Sequence, residues 1–363
     1  MPQVALIHDW LTGMRGGEYV LEALCGMFPE ADVFTLLHDR GSVSPVIERR
    51  VRRTSVVQRL PAASRLYRHY LPVFPFAIEQ FDLDGYDLII SSSHCAAKAV
   101  VRPGRATHVC YCHSPMRYAW DQFDAYFGEQ RMGRVPMRLL RRYMRRLSRW
   151  DADTSARVDR FVANSRHVAA RIARYYGRAA TVVHPPVNTD FFTPDARLAD
   201  NYLLVVSALV PYKRLDLAIA AADALQMPLK IVGRGPELSR LRRLASPRIE
   251  FLGSLTNDDI RTLYRGAVAL VMPGEEDFGM VPVEAQACGC PVVALARGGA
   301  LETVQDGVTG VLVPDASVTA FAAGLRRVAA MDVDAGTLRA HALRFSTEHF
   351  VRGMTAAVQD SLN

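Results

Sequence analysis

Short apolar segments alternate with segments of helical periodicity along the whole chain, and this alternation constrains the fold more than any other feature. Segments so rich in Val, Ile and Leu are typical of parallel strands buried on both faces beneath helices. Two successive runs of such units predict an α/β protein with two doubly wound sheets. The predicted strands are residues 4–8, 32–37, 86–91, 107–112, 160–163 and 181–183 in the first half, and 202–207, 229–232, 249–252, 267–271, 291–294 and 310–313 in the second. The predicted helices include 17–28, 165–176, 214–225, 237–244, 257–265 and 280–288.

The chain is expected to divide near residue 187. Its 363 residues are enough for about two domains. The segment 184–194 contains three prolines and no helical period, which is typical of a linker. We predict one domain over 1–187 and a second over 188–345. Two doubly wound domains side by side form a cleft at the carboxyl ends of their strands, where such folds bind ligands.

Charge is distributed unevenly between the halves. Residues 1–190 hold 27 Lys+Arg and 18 Asp+Glu, a net charge of +9, whereas residues 191–363 hold 17 and 19, a net charge of −2. The excess is concentrated in 131–149, which has eight Arg and no acid. Its apolar residues recur at helical spacing, so the run from Arg138 to Arg149 is expected either to lie on an anionic membrane surface or to be the solvated face of a core-packed helix. No recognition motif accompanies it, and we expect no nucleic-acid partner.

The sequence predicts a cytoplasmic protein. The chain begins with a short apolar run without a basic start, and its longest apolar run, near 202–212, is far below the roughly 18 residues that span a bilayer. Six cysteines include two Cys-x-Cys pairs, which lack the spacing typical of zinc or redox motifs. We expect buried thiols.

An acidic, glycine-containing loop after the predicted strand 267–271 is the strongest candidate site. Glu276 lies in this loop, a helix is expected to begin near Gly279, and Glu284 lies within that helix. Free N–H groups at a helix start bind phosphate, and carboxylates accept hydrogen bonds from pairs of sugar hydroxyls. The alternative interpretation is that the acids of the loop interact favourably with the helix dipole. That interaction does not explain Glu284, which lies beyond the first turn.

Lys213 is the second candidate, because it follows the strand 202–207 and is one of only three lysines against 41 arginines. A compact ammonium group at such a position neutralises a diphosphate. The alternative is a solvated lysine at a helix start. Gly233 and Arg234 form a similar strand-to-helix loop, which is either a plain turn or a ligand contact.

The first half offers weaker candidates. His113 directly follows the strand 107–112 and is expected to face the cleft, whereas a core histidine more often lies within a strand. Gly16 and Gly17 precede a helix, and their small size permits a ligand to approach the backbone; a turn is the alternative. Asp9 and Arg15 also lie beyond the first strand and are the candidates for contact with an acceptor.

The spacing of Glu276 and Glu284, with Phe278-Gly279 between them, resembles the signature of the retaining glycosyltransferase family 4, which has the GT-B fold. The resemblance implies two Rossmann-like domains facing across a cleft, with the N-terminal domain on the acceptor side and residues 346–363 crossing back onto it. Further segments similar to the family, in the same order, are residues 16–18, 161–165, 186–192, 210–214, 232–237, 291–294 and 298–302.

The resemblance also implies roles for residues. Lys213, with Arg214 or Arg234, would contact the diphosphate of a nucleotide sugar. Glu284 would hold the ribose, and Glu276 with the backbone of Phe278 and Gly279 would hold the sugar. His113 and Glu276 would act at the reacting sugar. The other implied donor contacts are Gly16, Gly17, Gly233, Met280, Val281 and Leu255, the last at the nucleobase. The family usually has Gly-Arg five residues before this lysine, where this chain has Ser207 and Ala208.

The activity implied is transfer of a sugar with retention of configuration and without a metal or other cofactor. Segments 111–120 and 207–214 look most like bacterial O-antigen mannosyltransferases, so the expected donor is GDP-mannose and the expected acceptor a lipid-linked or polysaccharide precursor. UDP-glucose and UDP-galactose are the alternative donors. The alternative functions are a sugar-nucleotide-binding protein without activity and another GT-B enzyme, such as a phosphorylase or an epimerase. A lipid-linked acceptor would fit a peripheral position at the inner face of the plasma membrane.

Overall fold

The computed structural model describes residues 2–127, 134–195 and 200–362. These form two compact units: the chain up to Pro186 with the C-terminal segment from Glu348, and Val187–Thr347. The strands are β1 Val4–His8, β2 Asp32–Thr35, β3 Val51–Thr54, β4 Leu88–Ser93, β5 Thr107–Cys112, β6 Arg160–Ala163, β7 Ala180–Val182, β8 Leu203–Val206, β9 Leu229–Val232, β10 Ile249–Gly253, β11 Ala269–Met272, β12 Val292–Leu295 and β13 Gly310–Val313. The α-helices are α1 Gly16–Met27, α2 Pro45–Glu48, α3 Ala63–Leu66, α4 Phe74–Glu79, α5 Arg117–Trp120, α6 Phe123–Phe127, α7 Arg134–Asp153, α8 Arg166–Tyr176, α9 Leu215–Ala224, α10 Leu238–Leu244, α11 Asn257–Gly266, α12 Met280–Ala287, α13 Ala300–Thr303, α14 Val318–Ala329, α15 Ala335–Leu343 and α16 Thr347–Leu362.

The first unit is built on a seven-stranded sheet in the order β3-β2-β1-β4-β5-β6-β7. All of its strand pairs are parallel, which confirms the predicted doubly wound arrangement. The sequence did not predict β3, because its middle residues are two exposed arginines. An edge strand pairs on one side only and tolerates such charges. The strand order reverses between β1 and β4, so the loops after these two strands lie at the switch point, where ligands bind in such folds.

The C-terminal helix α16 belongs to the core of the first unit. Phe350, Met354, Ala357 and Val358 lie at helical spacing on one face of α16, and all four are buried. They pack in the same cluster as the strand residues Leu6, Val109 and Tyr111. The ring of Phe350 meets that of Tyr111 edge-on, with centroids 5.6 Å apart.

The second unit is built on a six-stranded sheet in the order β10-β9-β8-β11-β12-β13, again with parallel pairs only. Its strand order reverses between β8 and β11. The loop after β8 carries Lys213, and the loop after β11 carries Glu276. The topology therefore brings these two predicted site residues to one edge of the sheet, at its switch point.

The boundary between the two units lies one residue earlier in the chain than the sequence predicted, after Pro186. The second unit ends at Thr347, two residues later than predicted. The predicted domain ended at Val187, whereas Val187 lies in the second unit. The reason is a backbone hydrogen bond of 3.0 Å from the N–H of Val187 to the carbonyl of Phe345 and a bridge between Val187 and Ser346. These contacts tie the two crossing segments together within the second unit.

Other expectations concern cysteines, membrane spans and metals. All six cysteines are buried and unpaired, as predicted, and burial raises the pKa of Cys25 and of Cys288 to about 12. No helix in the described ranges is long and apolar enough to cross a membrane. Within those ranges there is also no group of three or more His, Cys, Asp or Glu side chains arranged to hold a metal ion.

Candidate functional site

Lys213 and Glu276 form an ion pair at the switch point of the second unit. Lys213 ends a single 3-10 turn, Pro211–Lys213, that follows β8. Glu276 lies in the loop between β11 and α12. Their side chains are mostly buried, with exposed fractions of 15% and 20%, so water screens the pair less than it would on the surface. A cation and a carboxylate are thus held side by side at the place where the fold binds ligands.

Close backbone stacking fixes the loop that carries Glu276. The carbonyl of Glu276 accepts a 2.8 Å hydrogen bond from the N–H of Gly299, which lies just before α13. A Cβ atom at Gly299 would lie 2.2 Å from the carbonyl oxygen of Phe278. The ring of Phe278 is buried and meets the ring of Phe345 edge-on at 5.5 Å. Phe278 therefore anchors the loop through its buried side chain and through the packing of its backbone against Gly299.

Glu284 lies in α12, which begins after Gly279 in a left-handed conformation (φ 89°) and has no side-chain cap. Its Oε2 accepts a 3.0 Å hydrogen bond from the hydroxyl of Tyr264, on α11. Burial raises the pKa of Glu284 to about 7, although the bond from Tyr264 acts in the opposite direction. Tyr264 is the only described residue that hydrogen-bonds this carboxylate. The second carboxylate oxygen is left without a protein partner among those residues.

Three apolar residues predicted near the ligand lie at the margin of one cluster. Leu255, Met280 and Val281 are half-buried and pack against the core that also contains Tyr264 and Phe278. Met280 and Val281 belong to the first turn of α12, and all three side chains are partly exposed. Partly exposed apolar side chains of this kind are suited to contact the face of a planar aromatic group.

The three positions considered for a second cation differ in their surroundings. Arg214 has a left-handed backbone (φ 51°), and its guanidinium bonds Asp216 at 3.0 Å, so its charge is already neutralised. Ala208 is exposed. Arg234 is exposed too and forms no ion pair with any residue that the structure describes. Its carbonyl accepts a 3.0 Å bond from the N–H of Leu209.

The Arg234 loop lies directly against the segment that contains Ala208. A Cβ atom at Gly233 would lie 1.9 Å from the carbonyl oxygen of Ser207, and the φ of Gly233 is +136°. Glycine is therefore required there for the two loops to stack. Arg234 is thus the arginine that the fold places beside Ala208, while Arg214 is directed to Asp216.

In the first unit, the structure brings the predicted Gly16-Gly17 turn next to His113. Gly16 and Gly17 begin α1 after Arg15, which is exposed. A Cβ atom at Gly17 would lie 3.7 Å from Nε2 of His113 and 3.4 Å from Cε1 of His8. His113 follows β5 and is half-buried. Burial, together with the nearby His94 and His8, holds the pKa of His113 well below its ordinary value, so this ring is neutral at pH 7.

Asp9 has a different place from the one predicted. The sequence suggested contact with an acceptor, but the side chain is fully buried. Oδ2 accepts hydrogen bonds from the N–H groups of His94 and Cys95 at 2.7 and 2.9 Å, and Oδ1 from those of Ala96 and Ala97 at 2.6 and 2.8 Å. The carboxylate therefore holds the loop after β4 to the loop after β1. Its oxygens are occupied, so it does not face a ligand.

His94 is not among the candidate residues predicted from the sequence, yet it lies beside Asp9 and His113. Its Nδ1 lies 3.1 Å from Oδ2 of Asp9, and its side chain is 34% exposed. The ring meets the indole of Trp10 edge-on at 4.4 Å. Burial lowers the pKa of His94, although the charge of Asp9 opposes this. In the sequence, only the position of His94 directly after β4 could have indicated a role. Its contact with Asp9 joins two loops that are 85 residues apart in the chain.

The basic run lies on α7, whose described part begins at Arg134; residues 131–133 lie outside the described residues. Met137, Met144 and Leu147 are buried in the core of the first unit. Arg141 bonds Asp124 at 2.6 Å. Exposed side chains on the other face are Arg138, Leu139, Arg142, Arg145, Arg146 and Arg149. The helix is therefore both core-packed and strongly cationic on its outer face.

Two family profiles match the chain in succession. Residues 14–191 match the profile described as Glycosyltransferase Family 4, and residues 187–341 match Glycosyl transferases group 1. A D-inositol 3-phosphate glycosyltransferase of Geodermatophilus obscurus is 35% identical over 236 residues, which cover 56% of this chain and 52% of that protein. The protein of that name from Mycobacterium tuberculosis strain F11 is 36% identical over 181 residues, covering 43% and 38%. The matches thus span about half or less of these relatives.

Solved structures show the same fold. Anabaena Alr3699/HepE in complex with UDP has a TM-score of 0.72 at 18% identity, with 99% of this chain and 100% of that chain covered. The same protein was also solved with UDP-glucose, with a TM-score of 0.70 at 19% identity over 98% and 99% of the chains. Sucrose-phosphate synthase of Thermosynechococcus elongatus has a TM-score of 0.72 at 20% identity over 100% and 99%.

Proposed function

Because the chain belongs to glycosyltransferase family 4, we propose that it transfers a sugar from a nucleotide-sugar donor to a hydroxyl group of an acceptor. The observation that carries the proposal is the Lys213–Glu276 pair at the switch point of the second unit, beside the uncapped start of α12. One cation, one carboxylate and free helix N–H groups in one place match the parts of a nucleotide sugar. Relatives in solved complexes with UDP and UDP-glucose support a donor of this class.

A bound donor would separate the Lys213–Glu276 ion pair, with Lys213 contacting its diphosphate and Glu276 its sugar. Lys213 and the N–H groups of Gly279 and Met280 would neutralise the diphosphate. Glu276 would accept hydrogen bonds from sugar hydroxyls, and the free oxygen of Glu284 would accept them from the ribose. Leu255 and Val281 would contact the nucleobase. This division leaves no role that requires a metal ion, so we propose metal-independent transfer.

We further propose that the reaction retains the configuration of the sugar. The acceptor oxygen would form its bond to the anomeric carbon on the face from which the diphosphate leaves. The bond between that carbon and the diphosphate oxygen breaks, and the proton of the acceptor hydroxyl passes to the departing diphosphate. Lys213 stabilises the charge that develops on the diphosphate. His113 is proposed to contact a sugar hydroxyl as a neutral hydrogen-bonding group.

The proposed donor is GDP-mannose, on the resemblance of two segments to O-antigen mannosyltransferases, with a lipid-linked or polysaccharide-precursor acceptor. UDP-glucose and UDP-galactose are the alternatives, and the UDP-glucose complex of a structural relative favours testing them equally. The curated relatives are named for inositol 3-phosphate, which makes a phosphorylated polyol a further acceptor to test. Arg15, exposed beside Gly16, is the residue proposed to meet the acceptor.

A donor screen tests the proposal. We expect GDP-mannose, UDP-glucose or UDP-galactose to raise the melting temperature and to be turned over in the presence of EDTA. The Lys213→Ala variant should lower kcat by about 10²–10³-fold, because it removes the charge opposite the leaving diphosphate. Arg243→Ala, which removes an exposed cation of α10, is the matched control and should behave as wild type. A Glu276→Ala variant that transfers sugar at the wild-type rate would contradict the assignment of the site.

Two rival functions give different results in the same assay. A sugar-nucleotide-binding protein without activity, favoured only by the alanine at position 208, would be stabilised by a donor without turning it over with any acceptor. A phosphorylase would release sugar phosphate from an oligosaccharide and inorganic phosphate with no nucleotide present.

We also propose that α7 holds the protein at the cytoplasmic face of an anionic membrane. Its exposed Arg138, Arg142, Arg145 and Arg149 recur at helical spacing and therefore share one side of the helix. Each cation near an anionic surface adds about 1 kcal/mol of binding free energy. The exposed Leu139, at 64%, adds an apolar contact.

Vesicle co-sedimentation tests this association. The double variant R142E/R145E should lose most of its binding to vesicles that contain phosphatidylglycerol. R243E/R326E, which changes the net charge equally at exposed positions of the second unit, should bind as wild type. Equal binding of both variants would reject docking through α7.

A further inference from the structure

Ser92 bridges two histidines at the switch point of the first unit. Its Oγ lies 3.1 Å from Nδ1 of His8 and 2.8 Å from Nε2 of His113. Ser92 and His8 are fully buried. Nε2 of His8 lies 4.0 Å from Oε1 of Glu18, the buried carboxylate near the start of α1. Hydrogen bonds thus join His8, Ser92 and His113. Glu18 lies on the far side of His8, beyond hydrogen-bond distance but close enough for an electrostatic interaction.

A serine hydroxyl has one proton and two lone pairs, so it can donate to only one of the two rings. No other described residue accepts a hydrogen bond from Oγ of Ser92, so the hydroxyl donates to one ring and accepts from the other. The tautomers of His8 and His113 are therefore coupled. Either His8 donates to Ser92 and Ser92 donates to His113, or His113 donates to Ser92 and Ser92 donates to His8. The two states leave Nδ1 of His113 with opposite properties: protonated in the first, a lone pair in the second.

The Glu18 carboxylate selects between the two states. Its Oε2 accepts a 3.1 Å hydrogen bond from the N–H of Arg15. Burial is the largest single influence and raises the pKa of Glu18, but the interaction with His8, a backbone hydrogen bond and the nearby His94 together hold that pKa below its ordinary value. Glu18 is therefore ionised at pH 7. An ionised oxygen facing Nε2 of His8 attracts an N–H there and repels a lone pair.

We infer that Glu18, His8 and Ser92 are positioning residues that fix the tautomer of His113, leaving its Nδ1 as a hydrogen-bond acceptor for a ligand hydroxyl. In this relay Nε2–H of His8 faces Glu18, Ser92 donates to Nδ1 of His8, and His113 donates from Nε2 to Ser92. Nδ1 of His113 has no hydrogen-bond partner among the residues that the structure describes. The groups around the ring, His94 at 6.2 Å and Tyr111 at 5.2 Å between ring centroids, do not reach that atom by any hydrogen bond.

The relay has a consequence for specificity. A ring nitrogen with a lone pair binds a group that donates, such as a sugar hydroxyl, and repels a phosphate or carbonyl oxygen. This part rests on the proposed function, because the hydroxyl is taken to be that of a bound sugar. A Cβ atom at Gly17 would be in van der Waals contact with His8 and His113, so the Gly16-Gly17 turn lies directly against both rings.

Imidazole ¹⁵N shifts of the ligand-free 363-residue chain, labelled at its ten histidines, test the relay directly. Resonances are assigned with His8→Gln and His113→Gln. At pH 7.5 we expect His113 to be protonated at Nε2 and unprotonated at Nδ1, and His8 to show the same tautomer. The opposite tautomer at His113, or a doubly protonated His8, would overturn the inference.

Variants of the bridge supply the second readout. Ser92→Ala should give His113 a mixture of tautomers, and Ser92→Thr, which keeps a hydroxyl, should restore one. Ser91→Ala is the matched control: Ser91 is equally buried on β4, but its hydroxyl bonds His108 at 2.9 Å. It should leave His113 unchanged. A His113 tautomer that survives Ser92→Ala would also overturn the inference.

Kinetics separate this inference from the proposed function. If a donor is turned over, Ser92→Ala should raise its KM several-fold more than Ser91→Ala, with a smaller effect on kcat. If no donor is turned over, the proposed function fails, and the ¹⁵N shifts still decide whether the relay exists. Correct shifts with an unchanged KM would keep the tautomer and remove its role in sugar binding.

Discussion

The fold disfavours the ionised form of the Glu284 carboxyl, which is the form that accepts hydrogen bonds on both oxygens. Burial raises the pKa of this carboxyl to about 7, against an ordinary value of 4.5. A carboxyl whose folded-state pKa is raised favours folding below its unfolded pKa, and this contribution is lost as pH rises through the folded value. Above pH 7 the ionised group therefore costs on the order of 3 kcal/mol of folding free energy.

Glu284→Gln should therefore stabilise the free protein at alkaline pH. Gln keeps a carbonyl for the hydroxyl of Tyr264 and removes the buried charge. We expect the free energy of unfolding to rise by about 2 kcal/mol at pH 8.5 and to change little at pH 5. Denaturant unfolding followed by circular dichroism measures both. Equal effects at the two pH values would show that the charge is not responsible.

Tyr264→Phe should shift the pH dependence of donor binding. The ionised form of Glu284 accepts hydrogen bonds, so donor affinity should fall as pH falls through about 7. The hydrogen bond from Tyr264 lowers the pKa of Glu284, so its loss should move the midpoint of donor binding to a higher pH. Calorimetry with the preferred nucleotide sugar measures it. Tyr202→Phe loses a 2.8 Å bond to the carbonyl of Leu263, beside Tyr264, and should not move the midpoint.

Sequence reasoning found Glu284 but not Tyr264, and it misjudged Asp9. Glu284 stands out because a carboxylate beyond the first turn of an apolar helix has no ordinary explanation. Tyr264 gives no such signal, since an aromatic residue at helical spacing is expected in any core. Asp9 follows a strand and so resembles a ligand contact. The four N–H groups that occupy it come from residues 94–97, and only the tertiary structure brings them there.

At the scale of elements, the geometry of the candidate site in the second unit depends on loops whose backbones pack directly against each other. The loop after β11 rests on the turn before α13 through Gly299. The φ of Gly299 is −65°, which any residue can adopt, so only the space is limiting. A motif that looks like a flexible turn in the sequence is therefore a close packing contact in the structure.

Gly299→Ala should destabilise the protein and weaken donor binding together. Its Cβ would overlap the backbone of Phe278, and the loop that carries Glu276 would have to move. Such overpacking costs about 1–3 kcal/mol. Gly26→Ala is the control: it lies in α1 with open space around it and should stabilise by about 0.5–1 kcal/mol. Unchanged stability and donor affinity in Gly299→Ala would contradict the close contact. Thermal melting and donor titration of both variants decide this.

At the scale of the whole molecule, the chain returns at its C-terminal end to the unit where it began. Helix α16 places Phe350 against Tyr111 in the core of the first unit, although some 240 residues separate them. The first unit is therefore complete only when the C-terminal helix has docked. Its three tryptophans, Trp10, Trp120 and Trp150, are the only ones in the chain, so tryptophan fluorescence reports on this unit alone.

Phe350→Ala should lower the stability of the first unit by about 3–4 kcal/mol, because it leaves a cavity under a fully buried ring. Leu362→Ala, at a 52% exposed position of the same helix, should change it by less than about 0.5 kcal/mol. Urea unfolding followed by tryptophan fluorescence measures the difference. Similar values for the two variants would mean that α16 does not complete this core.

The sequence by itself determined the fold class, the strand–helix alternation and the loops that carry Lys213, Glu276 and His113, because apolar periodicity and position after a strand are local properties of the chain. The tertiary structure decided which of these side chains meet. The pairing of Lys213 with Glu276, the occupation of Asp9 by distant N–H groups and the contacts that link Glu18 to His113 all depend on strand order. Strand order is set by packing between segments far apart in the chain, and no local pattern records it.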